Sequence, residues 1–204
     1  MKNLHSQIDI FYNTKNWKNY WTKGLSDFIK GDILDVGSGT GSNIPFYSKV
    51  INTSQITCLE PDKKLFSNLK KKHKNKKKII IKNLKLSQLK NTKKYKTIIY
   101  ADVLEHIKND FKELRLALNH LKKNGRLIIL CPAHNFLFTS FDKNVGHFRR
   151  YNKNMFKSFE IQNVPNRDHH RTIDQRITET ICETHPPNPE DVRRHLRRAA
   201  CMWY

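Results

Sequence analysis

Long apolar runs are absent from this 204-residue chain. None of its hydrophobic stretches approaches the roughly 20 residues that a membrane-spanning helix needs. The opening segment, MKNLHSQIDIFYNTKNW, also has no continuous apolar stretch of the kind that a secretion signal carries. These absences predict a protein of the cytoplasm with no membrane span.

Cysteine is scarce, with four residues and no C-x-x-C pair. Cys58 and Cys131 fall in apolar runs, where a free thiol behaves as a small hydrophobic side chain. Cys182 and His185 match no standard zinc-finger spacing. The cysteines are therefore predicted to be reduced, as in the cytoplasm, and no metal site is predicted.

Acidic residues are also scarce. The chain has 18 aspartates and glutamates but 39 lysines and arginines, which gives a formal net charge of +21. This excess suits an anionic partner such as nucleic acid, a phosphorylated substrate or a membrane face. Seven of the nine residues in KKKHKNKKK, at 70–78, are lysine. No arginine or aromatic residue is interleaved there, as a nucleic-acid site would usually require, so a solvated helix end is favoured.

Glycine is concentrated rather than abundant, since three of the seven glycines lie within five residues. In ILDVGSGTGSN, Gly37, Gly39 and Gly41 follow an apolar run that contains Asp35. Glycine reaches positive φ without steric cost and leaves backbone amides open to a ligand. The spacing is G-x-G-x-G, which differs from the dinucleotide fingerprint G-x-G-x-x-G. The stretch predicts a strand, a turn and a helix that together form a ligand-binding corner.

Short apolar runs alternate with helical stretches along most of the chain. Strands are predicted at 32–36, 55–60, 78–82, 96–102 and 126–131. Helices are predicted at 9–29 with a break near Gly24, at 61–74, and at 107–123 with Gly125 as the C-cap. The alternation predicts an α/β fold with a doubly wound, Rossmann-like and mostly parallel sheet. Ligands of such sheets bind beyond the carboxyl ends of the strands.

The composition changes after residue 160. All 28 lysines lie at or before Lys157, whereas seven of the eleven arginines lie in 161–204. No strand is predicted in 161–204, and its one clear signal is a short helix from about Pro189. We therefore divide the chain into a domain at 1–160 and a tail at 161–204. The abrupt change from lysine to arginine favours a tail that is foreign to the domain, from a frameshift or a gene fusion. The alternatives are a solvated tail and a basic tail that binds phosphate.

Polar residues follow the second and fourth predicted strands. Glu60 ends the second strand, 19 residues after Gly41, and a carboxylate about 20 residues after such a loop suits the hydroxyls of a ribose. In YADVLEHI, at 100–107, Asp102, Glu105 and His106 follow the fourth strand. The carboxyl ends of parallel strands meet at one edge, so these side chains are predicted to lie near the glycines.

The segment CPAHNFLFTSFDKNVGHFRRY, at 131–151, has the composition of a lid over a site. Its aromatic residues would exclude water, and Arg149 and Arg150 would hold an anion. His147 in this segment and His106 are the candidate catalytic bases, because histidine titrates near neutral pH.

Five segments resemble, in order and spacing, a bacterial group of class I S-adenosylmethionine (SAM) methyltransferases. They are ILDVGSGTGSN, LEPD, YADVLEHI, LKKNGRLIILCPAH and FDKNVGHFRRY. The resemblance covers about residues 10–159. It implies the class I fold, SAM as the cofactor, and methyl transfer to a small-molecule or glycan-linked acceptor through oxygen, nitrogen or carbon.

The resemblance also implies a role for individual residues. Asp35 and the three glycines would cradle the amino-acid end of SAM, Glu60 would hold the ribose, and Asp102 would lie near the methionine portion. The full implied cofactor-binding set is Asp35, Gly37, Ser38, Gly39, Gly41, Glu60, Pro61, Gln88 and Asp102. The implied catalytic residues are His147 and His106, and the implied substrate-binding residues are Arg149, Arg150 and Tyr151.

The sequence departs from the family pattern at three places. Gln88 stands where the family often has an acid that contacts the adenine amine, and Lys96 replaces a usual aspartate. The family's last helix begins at 152–160, but 161–204 does not resemble its two final strands, which are predicted to be missing or replaced. Two alternatives stay open: a nucleic-acid-binding protein that uses its lysines, and an inactive SAM-binding remnant.

Overall fold

The computed structural model describes residues 14–50, 55–90, 92–152, 154–157 and 177–183. Their strands form one sheet in the order β3-β2-β1-β4-β5-β6. The strands are β1 (Ile33–Val36), β2 (Ile56–Leu59), β3 (Ile79–Lys82), β4 (Tyr95–Ala101), β5 (Leu121–Pro132) and β6 (Ile177–Glu183). Every neighbouring pair is parallel. The predicted doubly wound, Rossmann-like sheet is confirmed.

Helices lie against both faces of the sheet. They are α1 (Lys15–Gly24), α2 (Ile44–Val50), α3 (Lys63–His73), α4 (Asp110–Asn119) and α5 (Ser140–Val145), and a short helical turn spans 154–157. The first helix ends at Gly24, where the sequence predicted a break. No helix in the described part of the chain is both long enough and apolar enough to span a bilayer.

Two apolar cores result, one on each face of the sheet. Ile33 packs with Trp21 and Tyr47 on the face covered by α1 and α2, whereas its neighbour Leu34 packs with Leu114 of α4 on the other. Successive side chains of a strand point to opposite faces, so a strand covered on both sides needs apolar residues at nearly every position. Burying each such side chain stabilises the fold by about 1.5–3 kcal/mol.

The helix predicted at 107–123 corresponds to α4, but its predicted end was wrong. Helix α4 ends at Asn119 rather than near residue 123, and the chain enters β5 at Leu121. The backbone at Asn124 takes φ +57°, whereas Gly125 is packed so that a Cβ there would lie 2.8 Å from Leu121 Cγ. Gly125 therefore serves close packing within β5 and is not a helix C-cap.

The prediction that 161–204 contains no strand was also wrong. Residues 177–183 form β6, which pairs in parallel with β5 from Leu127↔Ile177 to Pro132↔Glu183. Four of the first five residues of ITETICE are β-branched, which favours an extended backbone, although the interleaved polar residues lower the hydropathy. At least one strand therefore continues the sheet beyond β5. The division at residue 160 stays a prediction, and the helix expected from Pro189 lies outside the described residues.

Candidate functional site

The glycine loop lies at the carboxyl end of β1, before α2. Gly37, Gly39 and Gly41 have φ of +69°, +56° and +72°, the region that favours glycine. A Cβ at Gly37 would lie 2.7 Å from a methyl group of Val103, and one at Gly41 would lie 2.8 Å from His73 Nε2. The predicted need for glycine thus has a steric cause as well as a conformational one at Gly37 and Gly41.

Hydrogen bonds join the loop to the end of β2. The Ser38 N–H donates to the Leu59 carbonyl at 2.9 Å, and the Ser38 hydroxyl donates to the Asp35 carbonyl at 2.9 Å. The Gly39 N–H donates to Glu60 Oε2 at 2.7 Å, while Glu60 Oε1 accepts from the Asp62 N–H at 2.9 Å. The predicted loop and ribose residues therefore form one hydrogen-bonded unit.

Asp35 is buried beneath this loop, with 2% of its surface exposed. The Tyr47 hydroxyl donates to Asp35 Oδ1 at 3.3 Å. Burial raises the pKa of Asp35 to about 7, and the nearby Glu60 adds to the rise. The carboxyl group is therefore poised between its neutral and charged forms near neutral pH.

Asp102 follows β4 with φ +56°, and its side chain is exposed. The protein around the carboxyl group nevertheless removes part of its hydration, which raises the pKa of Asp102 to about 6. Lys18 of α1 is buried, and its charge opposes that rise in the pKa of Asp102. Burial in turn lowers the pKa of Lys18 to about 8. Sequence reasoning missed Lys18, whose one signal is a lysine among aromatic residues in NWKNYW.

Pro61 and Gln88 are the remaining predicted cofactor residues, and both are exposed. Pro61 lies directly after β2, and Gln88 lies in the connection between β3 and β4. Gln88 belongs to a 3-10 turn, Leu86–Gln88, and its Oε1 accepts from the Lys85 N–H at 2.8 Å. Asn83, which sequence reasoning also missed, donates to the carbonyl oxygens of Glu60 and Pro61 at 2.8 and 3.0 Å. This amide fixes the backbone that carries the predicted ribose carboxylate.

A second group of polar residues centres on Asp142 of α5, which is completely buried. Arg150 donates to both of its oxygens at 2.9 Å, and the Thr139 N–H donates to Oδ2 at 2.9 Å. His147 Nδ1 lies 2.9 Å from Asp142 Oδ1. Although burial opposes it, these donors hold the pKa of Asp142 well below its usual range, so the carboxylate stays charged.

The three predicted substrate-binding residues are used within the protein. Arg150 forms the bidentate pair with Asp142, and Arg149 pairs with Asp110. Tyr151 is completely buried, and its hydroxyl lies 3.0 Å from the Leu104 carbonyl and from Asp110 Oδ2. Tyr151 is thus engaged within the protein, and its substrate role stays a prediction. For the two arginines, the substrate role stays a prediction.

The two predicted catalytic histidines lie side by side. The rings of His106 and His147 are edge to face with centroids 4.6 Å apart, and His147 Nε2 lies 3.9 Å from Glu105 Oε1. His106 is exposed, but the protein around its ring nitrogens removes part of their hydration, and this loss together with the neighbouring His147 lowers the pKa of His106 to about 4, so its ring is neutral at pH 7. Burial raises the pKa of Glu105 well above its usual range. Sequence reasoning assigned Glu105 no role, although it directly precedes His106.

Residues 34–127, a little under half of the chain, match the sequence model of a family described as "Methyltransferase domain". Over this segment the chain is similar to methyltransferase domains. The matched residues include the glycine loop, Glu60 and Asp102, which confirms the resemblance predicted from the sequence.

Solved structures share the fold of this chain. The chain is similar to the YcgJ protein from Bacillus subtilis, with a TM-score of 0.55, 14% identity, and coverage of 66% of this chain and 62% of that one. A protein from Galdieria sulphuraria, proposed as a sarcosine dimethylglycine methyltransferase, matches with a TM-score of 0.56, 14% identity, and coverage of 69% and 57%. The chain thus spans about three-fifths of the length of these proteins, and the match shows the shared Rossmann-like class I fold.

Proposed function

We propose that this chain binds SAM and transfers its methyl group to a small-molecule or glycan-linked acceptor. The observation that carries the proposal is the glycine loop at the carboxyl end of β1, hydrogen-bonded through Gly39 to Glu60 inside the segment that matches the family. In parallel α/β sheets this edge is where ligands bind.

The groups present fit the parts of the cofactor. SAM has a ribose diol, and each oxygen of Glu60 accepts one backbone N–H, which leaves further lone pairs for the hydroxyls. SAM also has an amino-acid end with one ammonium and one carboxylate. Asp102 offers a carboxylate to the first, and the nearby Lys18 offers a cation to the second.

Bound SAM supplies a methyl group that is already electrophilic, because it is attached to a sulfonium. The remaining task of the protein is to orient the acceptor and to exclude water. The segment at 133–151 carries exposed aromatic side chains suited to the second task, among them Phe136, Phe141 and Phe148. An acceptor that holds a proton would also need a base, and His147 or neutral His106 is suited to accept it.

Calorimetric titration of SAM into the purified chain tests the cofactor proposal. Gly39→Arg should weaken binding by at least about 100-fold, or about 2.7 kcal/mol, because a side chain at φ +56° strains the loop and fills it. Gly31→Asn is the matched control. Gly31 also has positive φ, +63°, but it precedes β1 at the opposite edge of the sheet. The proposal fails if folded wild-type protein does not bind SAM, or if both variants weaken binding equally.

A nucleic-acid acceptor is the second candidate, favoured by one observation. All seven lysines of the segment at 70–78 are exposed, at the end of α3 and in the following turn. Counterion release would make the affinity for RNA or DNA fall steeply with added salt. Weak binding at physiological salt, with methyl transfer to a small acceptor intact, would reject this candidate. Absence of all transfer by a chain that binds SAM would instead support the inactive-remnant hypothesis.

A further inference from the structure

Glu105, His106 and His147 bring three potential metal ligands to one point. One ligand atom from each side chain lies within 4.8 Å of the others. Glu105 and His106 come from the turn after β4, and His147 comes from the residues that follow α5. Two imidazoles and one carboxylate form a donor set that suits zinc or ferrous iron and leaves coordination positions open.

His147 is oriented as a metal ligand would be. Its Nδ1 faces Asp142 Oδ1 at 2.9 Å, which leaves Nε2 directed toward Glu105 Oε1 at 3.9 Å. Ligating histidines usually donate their second ring N–H to a carboxylate, which fixes the tautomer and makes the free nitrogen a better ligand. The bidentate Arg150 holds Asp142 in place for this purpose.

Glu105 supplies an observation that is independent of the histidines. Only 1% of its surface is exposed, and among the described residues its Oε2 has no hydrogen-bond partner. A buried carboxylate oxygen without a partner is costly, and such an exception in a folded protein needs an explanation. Asp102 and Asp142 add further negative charge nearby. A bound cation would satisfy the oxygen and offset this charge.

The spacing requires side-chain motion of modest size. Two ligands of a tetrahedral ion lie about 3.4 Å apart when each bond is about 2.1 Å long. The 3.9 Å between His147 Nε2 and Glu105 Oε1 is close to that value. The ligand atom of His106 lies up to 4.8 Å from the other two, so the His106 ring must rotate toward them. His106 is exposed, and Gly146 beside it has no side chain; even a Cβ there would lie 3.8 Å from His106 Nδ1. The ring therefore has room to turn inward.

We infer that Glu105, His106 and His147 bind a divalent transition-metal ion, with one position left for an oxygen atom of the acceptor. Binding of the ion does not depend on the proposed function, but its role toward the acceptor rests on it. The histidines would then act through the ion and not as free bases. A metal ion lowers the pKa of a bound acceptor hydroxyl, which would release its proton to water. The oxygen would then form a bond to the methyl group as the bond between that carbon and the sulfonium of SAM breaks, leaving S-adenosylhomocysteine.

Titration with Co²⁺ tests this inference. The chain is purified without a histidine tag, stripped with a chelator and titrated, with the visible absorption of the bound ion and calorimetry as readouts. We expect one Co²⁺ per chain at this site, displaced by Zn²⁺. His106→Asn and His147→Asn should each weaken binding by more than about 100-fold, and Asp142→Asn, which acts through His147, by about 10–100-fold.

His134→Asn is the matched control. His134 lies in the same segment, is exposed and has φ +60°, a conformation that asparagine tolerates. The control should bind Co²⁺ like the wild type. The inference is overturned if the wild type binds no Co²⁺, or if the His106 and His147 variants bind as tightly as the control. The second result would place the ion elsewhere, for example on the histidines and cysteines of 161–204.

SAM calorimetry on the same samples separates the two proposals. A variant that loses Co²⁺ but retains SAM affinity is folded, so its loss of the ion is specific and supports the site. Glu105→Gln should also weaken Co²⁺ binding, because it removes the charged ligand. If this buried substitution prevents folding, His106→Asn at an exposed position still decides the question. If the chain binds Co²⁺ but not SAM, only the proposed function is contradicted. If it binds SAM but not Co²⁺, only the proposed metal site is contradicted.

Discussion

The candidate site has two halves that are built differently. The cofactor half consists of β1, the loop at 37–41 and Glu60, whereas the acceptor half consists of the turn at 104–106 and the segment at 139–151. Each contains a buried aspartate, Asp35 in the first and Asp142 in the second, and their pKa values shift in opposite directions. Asp35 accepts from a tyrosine hydroxyl, while Asp142 is surrounded by N–H donors and an arginine.

The difference teaches that burial alone does not decide the charge of a carboxyl group. Burial raises the pKa of both aspartates, but the hydrogen bonds from Arg150, Thr139 and His147 reverse the outcome at Asp142. The acceptor half is consequently held by a charged network. The cofactor half is held by backbone hydrogen bonds and glycine conformations, which suits a ligand that lies against bare amides.

The largest expected effect is a loss of stability when Asp142 is replaced, and it tests whether the acceptor half depends on this residue. Asp142→Ala leaves Arg150 without its partner, and breaking a buried ion pair costs about 3–5 kcal/mol. The free energy of unfolding from urea titration measures this loss. Asp27→Ala, at an exposed position, is the control and should change it by less than about 0.5 kcal/mol. If folded Asp142→Ala also loses SAM binding, the two halves are not separate.

The next largest effect is the pH dependence of stability that Asp35 gives to the cofactor half. Burial raises the pKa of Asp35 to about 7, above the value of roughly 3.9 in the unfolded chain. Between these values the folded state binds a proton that the unfolded chain lacks, so the contribution of Asp35 to stability falls as pH rises. The loss reaches at most about 4 kcal/mol above pH 7.

The Asp35→Asn variant should therefore have a higher free energy of unfolding than the wild type above about pH 7. Near about pH 4 this difference in stability should disappear. Urea titrations across this range measure the difference. A constant difference at all pH values would show that Asp35 does not titrate in the folded state, and the contrast with Asp142 would then disappear.

A smaller effect is expected at Glu60, in affinity rather than in folding. Glu60→Gln replaces one carboxylate oxygen by an amide that cannot accept, so either the Gly39 or the Asp62 N–H loses its partner. We expect SAM to bind about 10- to 150-fold more weakly, since hydrogen bonds to charged groups contribute about 1.5–3 kcal/mol. Glu113→Gln, which alters the acceptor of the Tyr100 hydroxyl away from the loop, should leave the calorimetric affinity unchanged.

The smallest effect is expected at the surface of the segment at 133–151. Phe136 is 82% exposed, so Phe136→Ser should change the free energy of unfolding by less than about 0.5 kcal/mol. SAM affinity should also stay the same. A loss of more than about 1.5 kcal/mol would mean that this aromatic residue packs against part of the chain, and the segment would no longer be an open cover for the acceptor half.

The sheet and the cofactor half could be predicted from the sequence because their signals are local. An apolar run of four or five residues predicts a buried strand, and three glycines at G-x-G-x-G predict a turn with positive φ. The errors occurred where a local signal had two interpretations. Gly125 suited a helix end as well as close packing, and the polar residues of Ile177–Glu183 concealed a strand with many β-branched residues.

The amino-acid sequence alone thus determined the fold class, the glycine loop and Glu60 as its partner, since these follow from spacing along one continuous chain. Only the tertiary structure decided which distant residues meet. The charge of Lys18 acts on Asp102 because α1 packs over the sheet, and His147 lies near Glu105 because α5 ends at the left-handed Gly146. Such contacts depend on the order of strands and the path of the connecting segments, and no local pattern of residue types encodes them.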